Sequence, residues 1–285
     1  MDYSRYPLNN RFYSGSERKV GLTVKGENYI LKFQKQTAFG MRFNHISEYL
    51  GSHIFEQLGI PVQETHLGFY RGEQVVACKD FIARDEQFVP FNDVGESTLD
   101  QDKERYQYEY GDIMQMLRDN AKLTRVTETI RIFWEIYIVD ALIGNFDRHG
   151  SNWGFVKRAN AYSLSPVFDN GSCLYPNLVD EDEMRRIMTT EQETQKRIFL
   201  FPTSQIRLHG KNSSYAAVIH SLSFPECNQA LVSIYERIQM GKINDLIEET
   251  PFISDTRKQF YRHILQARYE RIIKHAYIKL IGGPI

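Results

Sequence analysis

The sequence predicts an α+β protein of two unequal parts, a small sheet-rich lobe over residues 1–84 and a mainly helical lobe over 85–285. Three patterns carry this reading. Alternating apolar runs broken by short turns fill the first hundred residues, one amphipathic helix is set among them, and helical periodicity dominates the remainder of the chain. A length of 285 residues suits one large domain or two lobes sharing a cleft, and 42% hydrophobic with 25% charged residues is the make-up of a folded chain. Disordered, collagenous and low-complexity classes are thereby excluded. The 35 Lys and Arg against 36 Asp and Glu leave a net charge of −1 and no global basic field, so direct nucleic-acid binding is not expected. Cys78, Cys173 and Cys227 lie far apart without CxxC spacing, which favours reduced thiols. The start MDYSRYPLNNRF has no apolar signal core, and the best apolar run, Ile136 to Phe146, is short and interrupted by Asp140. No membrane span and a cytoplasmic location are expected, with export by a specialised route left open.

In chain order, Lys19 to Phe33 reads as two strands around the turn Lys25-Gly26-Glu27-Asn28. Met41 to Leu58 places Phe43, Ile46, Leu50, Ile54 and Leu58 at helical spacing, and Gly59 supplies a stop. Thr65 to Tyr70 and Gln74 to Ala83 are strands joined at Arg71-Gly72-Glu73. Asp85 to Lys103, with Pro90, Gly95 and several acids, reads as a connector and surface loop. Helices are predicted over Tyr110 to Lys122 and Thr127 to Ile143, the second being a core helix with Trp134 on its broad apolar face. A small hairpin comes next, at Trp153 to Phe168. The remainder reads as helix over Glu181 to Phe199, Pro225 to Met240, Ile243 to Glu249 and Asp255 to Leu280.

The chemistry concentrates in Gly144-Asn145-Phe146-Asp147-Arg148-His149-Gly150-Ser151-Asn152 and, beyond the hairpin, Val167-Phe168-Asp169-Asn170-Gly171. Phosphoryl transfer needs a carboxylate beside the attacking hydroxyl and oxygen ligands for magnesium. Asp147 and Asn152 are five positions apart, the offset of the Asp and Asn in the protein-kinase catalytic loop. The hairpin returns the chain to that loop with Asp169 at its end. Taken singly, these are loop, cap and turn residues, and Arg148 is an ordinary ion-pair partner. Their ordered combination with an upstream lysine points to catalysis. Lys32, in Tyr29-Ile30-Leu31-Lys32-Phe33, shares a strand face with Ile30 and is expected to aim into a cleft, with mid-helix Glu48 as its best placed partner. The loop Ser14-Gly15-Ser16-Glu17-Arg18-Lys19 before the first strand is a weak phosphate-loop signal, with Lys19 a further phosphate contact or a strand-edge residue.

With these residues in view, DALIGNFDRHGSNWGF, SPVFDNGSCLYP, YILKF, SEYLGSHIFEQLGIPVQET and VVACKDF resemble the HipA-like serine/threonine kinases, in their short compact branch, over roughly Tyr13 to Leu280. The resemblance implies a bilobal protein-kinase-like fold and an ATP- and Mg2+-dependent reaction. It makes Asp147 the catalytic base and Asn152 and Asp169 the magnesium ligands. Lys32 would bind phosphate with Glu48 as helix partner, and Lys79, Asp80 and Phe81 would form the hinge whose backbone bonds adenine. His149 to Asn152 and Phe168 would complete the nucleotide contacts, with Ser14, Gly15, Ser16 and Lys19 at the phosphates. Some relatives inactivate themselves by phosphorylating a serine of this loop, which makes Ser14 and Ser16 candidate autophosphorylation sites, although Gly15-Ser16-Glu17-Arg18-Lys19 fits the family loop only loosely. Longer relatives carry an additional N-terminal subdomain that is not expected in this chain. Family toxins often pair with a DNA-binding antitoxin, and some phosphorylate a tRNA synthetase, so a protein substrate of the translation apparatus and an antitoxin partner are implied by analogy.

Two other functions are compatible with the motifs. One is a phosphoinositide-type lipid kinase, which the absence of a recognisable basic membrane-facing segment disfavours; the other is a nucleotide-binding pseudokinase that regulates a partner. Tyr106, Tyr108 and Tyr110 read as surface-loop residues, Arg185-Arg186 as a solvated helix face, and Cys78 as a packed small side chain. His220, His263 and His275 lack metal spacing.

Overall fold

The computed structural model describes residues 1–11, 13, 18–38, 40–95, 109–120 and 123–282. Strands β1 (Lys19–Val24) and β2 (Glu27–Phe33) pair antiparallel through Lys25 and Gly26, whose φ values of 51° and 87° are those of a two-residue type I′ turn. A two-residue ribbon, β3 (Gln36–Thr37) with β4 (Gly40–Met41), leads into helix α1 (Asn44–Gln57). Strands β5 (Thr65–Tyr70) and β6 (Glu73–Lys79) are joined by a second such turn at Arg71 and Gly72, giving the sheet order β1-β2-β6-β5. The N-terminal segment adds to the β1 edge, with the Thr23 N–H donating to the Pro7 carbonyl and the Asn9 N–H to that of Gly21. One face of the sheet is closed by Tyr3, Leu22, Tyr29, Leu31, Phe33, Tyr70 and Val75; the other faces α1 and the cleft.

Helix α1 lies between that sheet and the large lobe, so most of its circumference is buried, including Ser47, Glu48 and Ser52. Its links to the large lobe are numerous. The Ser47 hydroxyl donates to the Cys173 carbonyl (2.6 Å), the Asn170 amide to Ser52 Oγ (3.0 Å), and Arg237 to the Leu58 carbonyl just past the helix end (2.5 Å). Gly51 is the position of closest approach, where a Cβ would lie 2.7 Å from the Cβ of Asn170.

The stretch Asp85 to Lys103, expected as a loop, is in part regular. Its residues Glu86–Pro90 form β7 and pair with β8 (Gly154–Arg158), which pairs in turn with β9 (Ala161–Leu164). The short helix α2 (Phe91–Gly95) buries Phe91 and Val94. Residues 96–103 of that stretch lie outside the described residues. Helices α3 (Tyr110–Asp119) and α4 (Val126–Ile143) come next, and α4 is the axis of the large lobe, with Phe133, Trp134, Ile138, Val139 and Leu142 buried. Tyr110 belongs to this core rather than to a surface loop, its ring 4.6 Å from that of Phe224 and 5.7 Å from that of Trp134; Tyr106 and Tyr108 lie outside the described residues.

The predicted helix Glu181 to Phe199 is three pieces: α5 (Glu181–Thr189), α6 (Glu191–Gln195) and a π-helical turn, Lys196–Leu200. A hairpin that the sequence did not suggest, β10 (Thr203–Leu208) with β11 (Lys211–Ser214), precedes α7 (Tyr215–Ser221), α8 (Pro225–Arg237), α9 (Met240–Glu249), α10 (Asp255–Arg268), a second π-helical turn, Tyr269–Lys274, and α11 (His275–Ile281). Among the described residues no helix is long and apolar enough to cross a membrane.

Candidate active site

Helix α4 ends at Gly144 in a left-handed C-cap, and the next loop is built around Asp140, a carboxylate buried in the last turn of the helix. Asp140 accepts the Asn145 amide (3.0 Å) and, through both oxygens, the Arg148 guanidinium (3.0 Å each). Arg148 also donates to the Phe168 carbonyl (2.6 Å), to Asn170 Oδ1 (2.6 Å) and to the Asn152 carbonyl (3.3 Å). One buried cation thus ties the α4 end, the 145–152 loop and the 168–170 loop together.

Upon this frame Asn145 Oδ1 accepts the Asp147 N–H (3.1 Å) and the Asn152 amide nitrogen donates to the Asp147 carbonyl (2.8 Å). The Asn152 carboxamide oxygen is therefore its remaining ligand atom. Asp147 is half-exposed, with His149 Nε2 3.8 Å from its Oδ1. Burial raises its pKa above the ordinary value, and His149 partly offsets this. A carboxylate of raised basicity suits proton acceptance.

Asp169 sits at a positive φ of 58°, which turns its carboxylate back toward the small lobe. There Lys32 Nζ lies 2.8 Å from Asp169 Oδ1 and 3.1 Å from Glu48 Oε2, with its side chain only 15% exposed. Burial disfavours the ammonium, but Asp169 and Glu48 outweigh it and hold the Lys32 pKa well above its ordinary value. The carboxylates respond in opposite directions. Burial tends to raise Asp169 but Lys32 more than compensates and holds it low, whereas burial dominates at Glu48 and raises it. Lys19 is the Cα partner of Lys32 across the β1–β2 ladder and so shares its face of the sheet.

At the other end of the cleft, Phe81, Phe88 and Phe168 form an aromatic cluster with ring centroids 5.1–6.2 Å apart. In the segment expected as the hinge, the backbone N–H groups of Lys79 and Asp80 are already engaged. The Lys79 N–H donates to the Glu64 carbonyl and the Asp80 N–H to that of Asn28, both within the small lobe. The Lys79 ammonium pairs with Glu27 (2.6 Å) and Glu64 (3.6 Å) rather than entering the cleft. Of the three, Phe81 alone keeps a backbone N–H without such a bond among the described residues. Asp80 acts through its side chain, accepting Arg11 (2.6 Å), the Tyr13 hydroxyl (3.2 Å) and the Ile82 N–H (3.0 Å). It clamps Arg11 and Tyr13 to the end of the β6 strand segment, and Arg11 also donates to the Ile82 carbonyl (3.1 Å). Ser14, Gly15 and Ser16 lie outside the described residues.

The structure therefore gathers Lys32, Glu48, Asp147, His149, Asn152, Phe168 and Asp169 along one cleft. Reading the residues alone missed the structural weight of Arg148, Asp140, Asn170 and Phe88. A signal existed for Asp140, since a charge inside an apolar helical run needs a buried partner. Cys78 is buried beneath Lys32, its thiol pKa pushed up by burial, so it is a packed side chain and not a nucleophile. No group of three or more His, Cys, Asp and Glu suited to a metal occurs among the described residues.

A sheet-rich lobe and a helical lobe that bring a strand lysine, a helix glutamate, a loop aspartate and a second aspartate into one cleft define the kinase class of fold. Comparison with known proteins agrees with that class. The HipA-like C-terminal domain family matches residues 12–242. The serine/threonine-protein kinase CtkA of Helicobacter pylori strain J99 is 33% identical over an alignment of 290 residues, covering 99% of this chain and 89% of that protein. The crystal structure of the H. pylori proinflammatory kinase CtkA superposes with a TM-score of 0.89 at 31% identity, over 99% of this chain and 98% of that one. The HipA of Shewanella oneidensis MR-1, solved with HipB and operator DNA, shares the fold at a TM-score of 0.59 and 14% identity, over 95% of this chain and 68% of that one. The chain belongs to the HipA-like serine/threonine kinase family.

Proposed function

We propose that this protein is an ATP- and magnesium-dependent kinase that phosphorylates serine or threonine in a protein substrate. The observation that carries this reading is Lys32 Nζ held between Glu48 and Asp169, on the same cleft floor as Asp147 and Asn152. Lys32 would neutralise charge on the nucleotide phosphates, with Glu48 fixing its position. Asp147 would accept the hydroxyl proton of the substrate and orient its oxygen. The aromatic cluster of Phe81, Phe88 and Phe168 offers an apolar wall for the base. The donor set fits magnesium, because the Asp169 carboxylate and the Asn152 amide oxygen are hard oxygen ligands, and magnesium in phosphoryl transfer takes one or two such groups plus phosphates. When bound, the ion would screen phosphate charge and polarise the transferring group.

The test is transfer of labelled phosphate from ATP to proteins of a cell lysate and to the protein itself, with mass spectrometry of the modified sites, Ser14 and Ser16 included. Asp147→Gln and Asp169→Asn are expected to abolish transfer while circular dichroism and melting temperature stay close to wild type. Wild-type activity in either variant would overturn the assignment. Transfer to phosphatidylinositol vesicles instead of protein would establish a lipid kinase. A melting temperature raised by Mg-ATP with no transfer to any protein would establish a nucleotide sensor.

A further inference from the structure

The segment at the end of the first π-helical turn exposes three large apolar side chains in succession, Phe199 at 37%, Leu200 at 69% and Phe201 at 46%. Single exposed apolar residues are ordinary, but a contiguous run held rigidly is a recognition feature. Rigidity here is explicit. The Tyr175 hydroxyl is placed on both the Arg197 carbonyl (2.5 Å) and the Phe201 carbonyl (2.9 Å), the Phe201 N–H donates to the Lys196 carbonyl (3.1 Å), and Ser214 Oγ donates to the Phe199 carbonyl (3.2 Å).

The run is also built onto the catalytic loop. The Phe201 ring packs 5.3 Å from that of Phe146, the residue immediately before Asp147. Gln205 donates to the Phe146 carbonyl (2.7 Å), and Pro202 lies against Gly144, where an added Cβ would come within 3.2 Å of it. Through Phe146 the exposed run therefore adjoins the loop that carries Asp147. The charged neighbours Lys196 and Arg197 are paired with Glu193 and Glu183, so the shelf offers apolar contact and no net charge for selection.

We infer that Phe199, Leu200 and Phe201 form a substrate-docking shelf, and that its occupant is an apolar side chain of the polypeptide segment that carries the phosphorylated serine or threonine. The inference rests on the protein-kinase reading above and narrows its substrate class to hydroxyl residues flanked by an aliphatic or aromatic residue. Selection by one such contact is of the size given by a lost apolar side chain in an enzyme pocket, about tenfold.

The experiment is a positional-scanning library of peptides, each with one central serine or threonine, phosphorylated by the full-length protein and by its Leu200→Ser and Phe201→Ser variants. The wild type is expected to favour apolar over polar residues about tenfold at one flanking position. Leu200→Ser, the more exposed and so the safer for folding, is expected to flatten that preference to about twofold or less. Phosphorylation without positional preference, or a preference that both variants retain, overturns the shelf and leaves the kinase reading standing. No phosphate on any peptide while lysate proteins are labelled overturns the shelf alone, and no phosphate on peptide, lysate protein or the protein itself overturns both. Size-exclusion chromatography runs alongside: a wild-type dimer that Leu200→Ser converts to monomer, with the preference unchanged, assigns the shelf to a second copy of the chain and also overturns the inference.

Discussion

Substitution of Arg148 is the most demanding check on the way the site is assembled. Its guanidinium makes five hydrogen bonds of 2.6–3.3 Å to Asp140, Asn170, Phe168 and Asn152, and a lysine ammonium cannot span four partners set around a planar fork. In Arg148→Lys the charge beside Asp140 is kept, but most of the remaining bonds are lost. At about 1 kcal/mol for each bond to a neutral partner and somewhat more for one to the carboxylate, the cost is about 3 kcal/mol. For a chain of this size that corresponds to a fall in Tm of roughly 6–12 °C. Arg148→Met also leaves the Asp140 carboxylate buried without its partner, and about 3–5 kcal/mol is expected. Because Arg148 holds the carbonyl before Asp169 and the backbone of Asn152, displacement of these groups by about 1 Å would lower kcat by about 10²-fold. The assay is differential scanning calorimetry paired with steady-state phosphotransfer. Arg158→Lys is the control, since the Arg158–Asp85 pair is exposed on both sides and should leave both readouts unchanged. An Arg148→Lys protein that melts within about 2 °C of wild type and keeps its kcat within about twofold would show that Arg148 does not organise the site.

Two further outcomes rest on the same geometry. Phosphotransfer requires the ionised form of Asp147, so kcat falls as pH drops through the pKa of this group; burial raises that pKa, and the acid limb of the profile should inflect above the ordinary value of 3.8. His149 lowers the same pKa, so His149→Gln should move the limb to higher pH, and a shift the other way contradicts the assignment. Gly21 lies against Asn9 and Tyr13, the latter held by Asp80, so that a Cβ would collide with Asn9 Oδ1 and stand 2.8 Å from the Tyr13 ring. Gly21→Ala is expected to cost about 1–3 kcal/mol by overpacking and, by loosening Tyr13 and Arg11 from Asp80, to weaken Mg-ATP binding in a calorimetric titration; unchanged affinity would remove the clamp from the nucleotide site.

The parts of the fold that were legible are those whose information is local. Both small-lobe turns announce themselves by a residue and glycine between alternating runs, and α1 by its apolar spacing. Lys32 and Glu48 were legible because each is a charge in an apolar setting, and Asp147, Asn152 and Asp169 because their order along the chain is distinctive. The rest depends on distant partners. Strand β7 pairs with β8 far along the chain, so nothing near Glu86 distinguishes it from a loop. The β10–β11 hairpin carries the same turn signal at His209 and Gly210, with φ of 54° and 75°, but the register shift between Thr203 and Arg207 breaks the alternation that would have exposed it. Thr190, extended between α5 and α6, divides a stretch whose composition alone reads as continuous helix. The Arg148 hub needed the fold, because Asp140, Phe168 and Asn170 become its neighbours only once the hairpin has closed.

The Lys32 pairing has a consequence for the order in which ligands arrive. Lys32 faces two carboxylates, Glu48 and Asp169, so this part of the cleft carries about one negative charge in excess when all three are ionised. An unaccompanied polyanion would meet a field of its own sign there, and a divalent cation alone would find only two ligand side chains. Each ligand supplies what the other lacks. On the proposed reading, nucleotide and cation are therefore heterotropic partners, each raising the affinity for the other by the same factor, and the cleft is electrostatically selective for the complex over either component.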